Sequence, residues 1–416
     1  MDICVIGQGY IGIPTAILFA YNGCNVTGVD INEKIVNNLN NGVLPIEEPK
    51  LNDYFIECLE NNMFLASLTP VKSDVYIITV PTPFNKEDLS CDLSYVVSAC
   101  ESILHFVKKD DVIIVESTIA PLSMENVVKP IFEDSGFIIG EDLFLAHCPE
   151  RVLPGNMVHE LIHNNRIVGG VTKACANKAA EVYRIFVEGN VIETEAKVAE
   201  LSKCMENTFR DVNIALANEL VKIGANLDID ALEVINIANQ HPRVNIHSPG
   251  PGVGGHCLAI DPYFIYSLAP DVAKIIKLSR DTNNSMPDYV VGFVNKILDK
   301  SQNDVVSVFG LSYKGNSDDD RESPSYDIIS KLSDDYEVRI FDPHIEGSSL
   351  TFEDSLRDSS LLLILTDHDE FKDLDFEKVV SLMKNPVIFD TKNILDKESI
   401  PRDVLLYNFG NVSQIK

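Results

Sequence analysis

The stretch PGPGVGGHCLAID, residues 249–261, sets Cys257 behind four glycines and two prolines, with Asp261 four positions further on. Glycine lets a backbone approach a ligand closely and proline stiffens the run, so the thiol stands on a rigid platform poor in side chains. A cysteine is most often a small buried apolar residue. On such a platform it is suited instead to nucleophilic attack. Upstream, AELSKCMENTFRD places Lys203, Asn207 and Arg210 at i, i+4 and i+7, on one face of a helix. On an arbitrary helix that is a solvated polar stripe. Here the helix stays apolar for long stretches, and a partly buried amine on its polar face is suited to acid/base work.

The chain opens with ICVIGQGYIGIPTAILFAYNGCNVTGVD, which reads as strand, glycine turn, helix and strand. Gly7, Gly9 and Gly12 give G-x-G-x-x-G, with Tyr10 and Ile11 inside the motif and Asp30 at the end of the second strand. The bare pattern also marks turns without a ligand. Following a strand, opening a helix and carrying its acidic residue at the expected distance, it predicts a dinucleotide site. Asp30 would accept hydrogen bonds from an adenosine ribose and repel a 2′-phosphate, so the expected cofactor is NAD rather than NADP. TVPTP and ESTIAP end strands at the carboxyl edge of the same sheet, which makes Thr82 and Thr118 cofactor candidates beside their ordinary turn and cap roles. A thiol near a nicotinamide has a specific use: it adds to an aldehyde to form a tetrahedral thiohemiacetal, which can lose hydride to give a thioester.

Around these residues the chain alternates strand-like and helix-like runs, the pattern of a doubly wound parallel sheet, as far as about residue 194. From 195 to 300 the strands stop. EAKVAELSKCMENTFRDVNIALANELVKIGANL keeps helical spacing to near Gly224. Strands return at DVVSVFGLSYKG, YEVRIFDP, SLLLILTDHDEF and PVIFDTKN, with Gly310 and Asp342 in the places of Gly7 and Asp30. The expected α/β architecture is two Rossmann-like doubly wound parallel sheets joined by a helical middle with a long central helix. The segments are 1–194 for NAD, 195–300 for dimerisation through the helix, and 301–416 for a second ligand. GLSYKG lacks the dinucleotide spacing, so the last segment should bind something other than a second dinucleotide.

Bulk properties bound the reading. The 416 residues exceed a single ordinary core. No apolar run is long enough to span a bilayer, and the N-terminus carries no signal-peptide pattern, so a cytoplasmic location is expected. Nine scattered cysteines without a C-x-x-C pair suggest neither a disulfide framework nor a zinc knuckle. With 34 basic against 63 acidic residues the net charge is −29, which disfavours nucleic acid as a partner and means that an anionic substrate needs a local basic cluster. HELIH, residues 159–163, matches H-E-x-x-H, which on a helix would make His159 and His163 zinc ligands and Glu160 a base. PGNM and NNRI bracket a very short segment and no third ligand follows, so no metal is expected.

Taken together, GQGYIGIPTA, TVPTP, ESTIAP, CPERVLPG, AELSKCMENTFRDVNIALANEL, HPRVN, PGPGVGGHCLAIDPYF and FGLSYKGNSDDDRESP resemble the nucleotide-sugar 6-dehydrogenases over nearly the whole chain. Those enzymes oxidise a UDP-hexose to its uronate with two NAD. CPERVLPG and HPRVN followed by PGPGVGGHC look like the branch acting on UDP-N-acetyl-D-mannosamine. A UDP-glucose enzyme, one for another UDP-N-acetylhexosamine, or a non-catalytic NAD-sensing protein stand as alternatives. The resemblance implies that Cys257 is the nucleophile, Lys203 the proton donor or acceptor that holds the oxyanion beside Asn207, and Asp261 the carboxylate assisting a water. It places Glu150 near thioester hydrolysis. It further implies that Arg151, Val152, Arg210, His241, Arg243, Gly254, Tyr313 and Lys314 contact the UDP-sugar along with Lys203 and Asn207, and that Arg321 reaches NAD. Pro154 replaces a second acidic residue of the UDP-glucose branch, so that residue's role in handling water does not carry over.

Overall fold

The computed structural model describes residues 1–46, 48–152, 155–298, 304–347 and 350–415; Pro154 lies outside them. The chain divides into two compact units, Met1–Glu206 with Tyr263–Ala269, and Asn207–Pro262 with Pro270–Lys416.

The first unit is built on eight strands: β1 (Asp2–Ile6), β2 (Asn25–Val29), β3 (Phe64–Ser67), β4 (Val75–Ile78), β5 (Val112–Val115), β6 (Phe144–His147), β7 (Arg166–Gly170) and β8 (Val191–Glu195). Their order is β3-β2-β1-β4-β5-β6-β7-β8. The strand order reverses beside β1, which puts the glycine turn at the switch point where doubly wound sheets bind ligands. The sequences VYII of β4 and VIIV of β5 are buried throughout, as strands covered on both faces must be. The helix Gly12–Tyr21 is buried at every position but Tyr21, which explains why it lacks a polar face. One pair departs from the all-parallel expectation: β7 runs antiparallel to β6 and then pairs in parallel with β8.

The second unit carries β9 (Val305–Phe309), β10 (Glu337–Phe341), β11 (Leu361–Ile364), β12 (Val387–Asp390) and β13 (Leu405–Asn408), all parallel in the order β10-β9-β11-β12-β13. The period-two alternation of a strand sorts its side chains into two cores. Val306, Val308, Leu361 and Leu363 pack with the helices Met286–Ile297 and Pro324–Leu332, while Phe309, Leu362 and Ile364 pack with Leu356, Phe371 and Val379. The fifth strand, β13, was not foreseen; its sequence LLYN is too short and too variably buried to announce itself. The long helix runs over Ala196–Leu227, three residues past Gly224.

The match between the two glycine turns is structural. Gly7 and Gly310 have φ of +96° and +99°, a conformation only glycine adopts freely. Asp30 accepts the N–H of Gln8 at 2.8 Å and of Asn32 at 2.9 Å; Asp342 accepts those of Leu311 at 2.7 Å and His344 at 2.9 Å. The difference lies in burial. Asp342 is buried against His368 at 3.2 Å, whereas Asp30 is only half-buried. Burial raises the Asp342 carboxyl, but the His368 hydrogen bond and the backbone N–H groups outweigh it and hold the group at about 2.

Candidate active site

In the first unit the glycine turn has the form a pyrophosphate requires. A Cβ on Gly12 would lie 1.8 Å from the Gly7 carbonyl oxygen, so this glycine permits close packing of helix on strand. A Cβ on Gly7 would meet the Thr79 carbonyl oxygen at 2.8 Å. A Cβ on Gly9 meets nothing within 4 Å: the backbone there faces open space, where a ligand can approach. No side chain caps the helix that follows, so its positive end is open to an anion. Tyr10 and Ile11 lie in the turn before that helix. With Asp30 at the end of β2, these residues fit NAD.

The neighbouring strand ends are stitched together. Thr82 Oγ1 donates to the Thr118 carbonyl at 2.6 Å, and Ser117 Oγ donates to the Val80 carbonyl at 2.6 Å. Beneath them lies a charged network that the sequence reading did not anticipate. Arg166 of β7 bridges the carboxylates of Glu116 and Glu150, and its guanidinium stacks 4.4 Å from the ring centre of Tyr183. Tyr183 and Thr15 donate to Glu116 at 2.5 and 3.1 Å. Burial raises the Glu116 carboxyl despite the opposing charge of Arg166. Glu150 is thus committed to Arg166, and its other oxygen accepts the N–H of Arg151 at 2.6 Å. The Arg151 side chain pairs with Glu206, and Val152 rests against the core of this unit.

Lys203 lies in the second turn of the long helix and is half-buried. That turn is fastened to the loop after Thr118, because Glu200 accepts the N–H groups of Leu122 at 2.6 Å and Met124 at 2.8 Å, and Cys204 contacts the Ile119 carbonyl at 3.7 Å. Close to Lys203 is His147, also missed from sequence. Its Nδ1 faces the Val115 carbonyl at 2.9 Å, and burial, with the charges of Lys203 and Arg166, depresses it to about 3, so it is a neutral imidazole.

Burial pushes the Glu200 carboxyl up to about 7. Its folded value thus exceeds the ordinary ~4.3, so between these values the native state holds a proton that the unfolded chain has released. Stability from this group is full below pH ~4.3 and is lost as pH rises towards 7, by about 3 kcal/mol. Glu200→Gln should flatten that decline in denaturant titrations across the window; an unchanged slope contradicts it.

In the second unit, Asn207 Nδ2 donates to Asp261 Oδ2 at 2.6 Å, and both residues are buried. The Asp261 N–H turns back to the Cys257 carbonyl at 2.9 Å, so a tight turn separates carboxylate from thiol. Seven of the nine cysteines are buried and Cys91 is half-buried; Cys257 is exposed. The glycines before it are required by contact. A Cβ on Gly254 would meet the Glu322 carbonyl at 2.7 Å and Tyr313 Cβ at 2.8 Å, and one on Gly255 would strike the Tyr313 ring at 2.9 Å. Burial raises the Tyr313 hydroxyl, with the neighbouring Asp319 and Cys257 charges adding. Arg321 is held by Asp319 at 2.7 Å on two nitrogens, while its carbonyl accepts the Gly255 N–H at 3.1 Å. Arg210, Lys314, His241 and Arg243 are exposed, the last two in one turn where the Arg243 N–H reaches His241 Nδ1 at 3.3 Å. The polar face expected on the long helix is therefore graded: Lys203 half-buried, Asn207 buried, Arg210 exposed.

HELIH forms the helix Met157–His163, with the His159 and His163 rings 4.4 Å apart and His163 paired with Glu188. Among the described residues the His/Cys/Asp/Glu group close enough to share a cation is His344, His368 and Glu370 instead. His368 cannot contribute a lone pair there. Its Nδ1 accepts the Asn316 N–H at 2.9 Å, so Nε2 carries the proton that it directs to Asp342.

Comparison with known proteins matches the chain in three segments. Residues 1–187 match the NAD binding domain of the UDP-glucose/GDP-mannose dehydrogenase family, residues 197–285 its central domain and residues 307–397 its UDP binding domain. The chain is similar to the UDP-N-acetyl-D-mannosamine dehydrogenase of Methanococcus maripaludis, 46% identical over 95% of this chain and 93% of that one. It is similar also to the NDP-N-acetyl-D-galactosaminuronic acid dehydrogenase of Ralstonia solanacearum, 39% identical over 94% and 96%. The solved structure of the UDP-N-acetyl-mannosamine dehydrogenase Cap5O from S. aureus superposes with a TM-score of 0.93 at 54% identity over the full length of both chains. The chain therefore belongs to the UDP-glucose/GDP-mannose dehydrogenase family and is an NAD-dependent UDP-sugar dehydrogenase.

Proposed function

We propose that the chain oxidises UDP-N-acetyl-D-mannosamine at carbon 6 to the uronate, with Cys257 as covalent nucleophile. The observation that carries this reading is an exposed thiol on a glycine-walled platform, one turn before a buried carboxylate held by an amide. The choice of sugar is supported by the names of the Methanococcus and S. aureus relatives. The Ralstonia relative favours a second reading, another UDP-N-acetylhexosamine.

Gly7, Gly9, Tyr10, Ile11, Gly12 and Asp30, with Thr82, Thr118 and Arg321, would hold NAD, which would supply the hydride acceptor for each of two oxidations. Lys203 takes the proton of the C6 hydroxyl as that alcohol becomes an aldehyde. The Cys257 thiolate adds to the carbonyl carbon, and the protonated amine of Lys203, with Asn207, steadies the oxyanion of the thiohemiacetal. Loss of the second hydride leaves a thioester. Asp261, its charge oriented by Asn207, takes a proton from the water that cleaves the thioester, releasing carboxylate and restoring the thiol. Per uronate, one water is consumed, two hydrides are transferred and three protons are released. Glu150 acts near this last step by fixing the Arg151 backbone. Arg151, Val152, Arg210, His241, Arg243, Gly254, Tyr313 and Lys314 hold the UDP-sugar, whose diphosphate needs this local positive charge in a chain of net charge −29.

Turnover on a panel of UDP-sugars tests the reading. UDP-N-acetyl-D-mannosamine should give the highest kcat/KM with two NADH per acid; a higher value for UDP-glucose, or one NADH per product, contradicts it. The same enzyme is proposed to be a homodimer through the long helix, because Phe209, Leu216 and Ile223 recur every seven residues with exposures of 63%, 55% and 46%. Sedimentation as a monomer at micromolar concentration contradicts that.

A further inference from the structure

The backbone leading into the cysteine platform is held by asparagine side chains. Asn239 exchanges two hydrogen bonds with the backbone of Ile246, at 2.9 and 2.8 Å. Asn213 donates to the Asn245 carbonyl at 3.0 Å and accepts the His247 N–H at 2.9 Å. Asn218 accepts the N–H of Gly250, the first glycine of the platform, at 2.9 Å. Asn213 and Asn218, both on the long helix, flank the apolar stretch IALA.

Asn218 differs from the other two in what lies behind it. Its Nδ2 donates to Asn283 Oδ1 at 2.9 Å; Asn283 Nδ2 donates to Asp211 Oδ1 at 2.8 Å; and Arg280 donates to the same oxygen at 2.6 Å. All four side chains are at most 3% exposed. The direction of each amide is fixed by chemistry. The Gly250 N–H needs an acceptor, so the Asn218 oxygen must face it; the Asn218 nitrogen then needs the Asn283 oxygen, and the Asn283 nitrogen needs the Asp211 carboxylate. A relay of one polarity therefore runs from a buried ion pair to the loop. Burying two charges and two amides is costly, and the flanking buried Ala215, Ala217 and Val221 show that apolar side chains suit this side of the helix. Folding alone does not call for such a relay. At its other end the platform is pinned by the Gly255 N–H on the Arg321 carbonyl, so Gly250 to Gly255 is held at both ends, two residues before Cys257.

We propose that Asn218 is a positioning residue for the reaction at Cys257: it transmits the rigidity of the Arg280–Asp211–Asn283 relay to Gly250, and so fixes where the thiol stands. The proposal rests on the reading of Cys257 as nucleophile. A misplacement of about 1 Å at a reacting group costs on the order of a hundredfold in rate.

The test compares Asn218→Ala and Asn283→Ala with the parent enzyme by steady-state kinetics and hydrogen exchange. Asn218→Ala should lower kcat for the UDP-sugar about a hundredfold with the KM for NAD unchanged, and speed exchange across 250–257 at least about tenfold while β1, β4 and β5 keep their protection. Asn283→Ala, which does not touch the loop, should give the same pattern more weakly and keeps the test alive if the first variant does not fold. Unchanged exchange at 250–257, unchanged kcat despite faster exchange, or faster exchange throughout both units each overturns the proposal. Failure of the covalent reading is distinguishable: it shows as acid formation surviving loss of Cys257, with the exchange result unaffected.

Discussion

Cys257→Ser should abolish uronate formation, by about a thousandfold or more, while NAD binds with unchanged affinity. A serine hydroxyl is not ionised near neutral pH and lacks the intrinsic nucleophilicity of a thiolate, so the aldehyde would not be trapped at a useful rate. No neighbouring thiol can replace it, because seven other cysteines are buried and Cys91 is half-buried. Cys257 is not among the residues proposed to hold NAD, which is why the affinity for the cofactor should not change. Calorimetric titration with NAD and quantification of uronate check both halves. Normal uronate output from the serine variant removes the covalent step.

Gly12→Ala should cost at least about a hundredfold in NAD affinity and also destabilise the first unit. The added Cβ would stand 1.8 Å from the Gly7 carbonyl oxygen and 2.5 Å from Thr79 Oγ1, and that hydroxyl already donates to Gly7 at 2.7 Å. Backbone on one side and a hydrogen-bonded hydroxyl on the other leave no direction in which to yield, so the turn must deform. Gly9→Ala makes the contrast: its Cβ enters open space, so the melting temperature should hold while NAD binding weakens, because that space is where the pyrophosphate is proposed to come closest. Thermal melts with and without NAD separate the two effects. Parent-like NAD affinity in Gly12→Ala means that the cradle has been misplaced.

What the sequence made legible was set by local rules. The first glycine turn, Asp30, the long helix and the Gly-Pro platform each depend on residue types at fixed short spacing, and each stands where the spacing put it. The second glycine turn was readable as a counterpart of the first because Gly310 and Asp342 meet the same backbone demands. The charged network was not readable. Arg166 stands 50 residues from Glu116 and 16 from Glu150, and the three meet only because β5, β6 and β7 lie side by side, the last of them antiparallel. The same holds for Asn218 with Asn283 and for the neutral His147, whose environment comes from other strands. One signal was available and passed over: polar residues such as Asn213 and Asn218 flanking an apolar helical stretch, where an unpaired amide would be expensive.

Trapping the acyl-enzyme addresses the chemistry itself. Asp261→Asn keeps an oxygen for the Asn207 amide but removes the charge that takes a proton from water. Mixed with NAD and UDP-N-acetyl-D-mannosamine, that variant should release about two NADH per subunit in a burst and then stall, with a UDP-sugar acyl group found on Cys257 by peptide mass spectrometry. Continued uronate production with Cys257 unmodified would contradict the account.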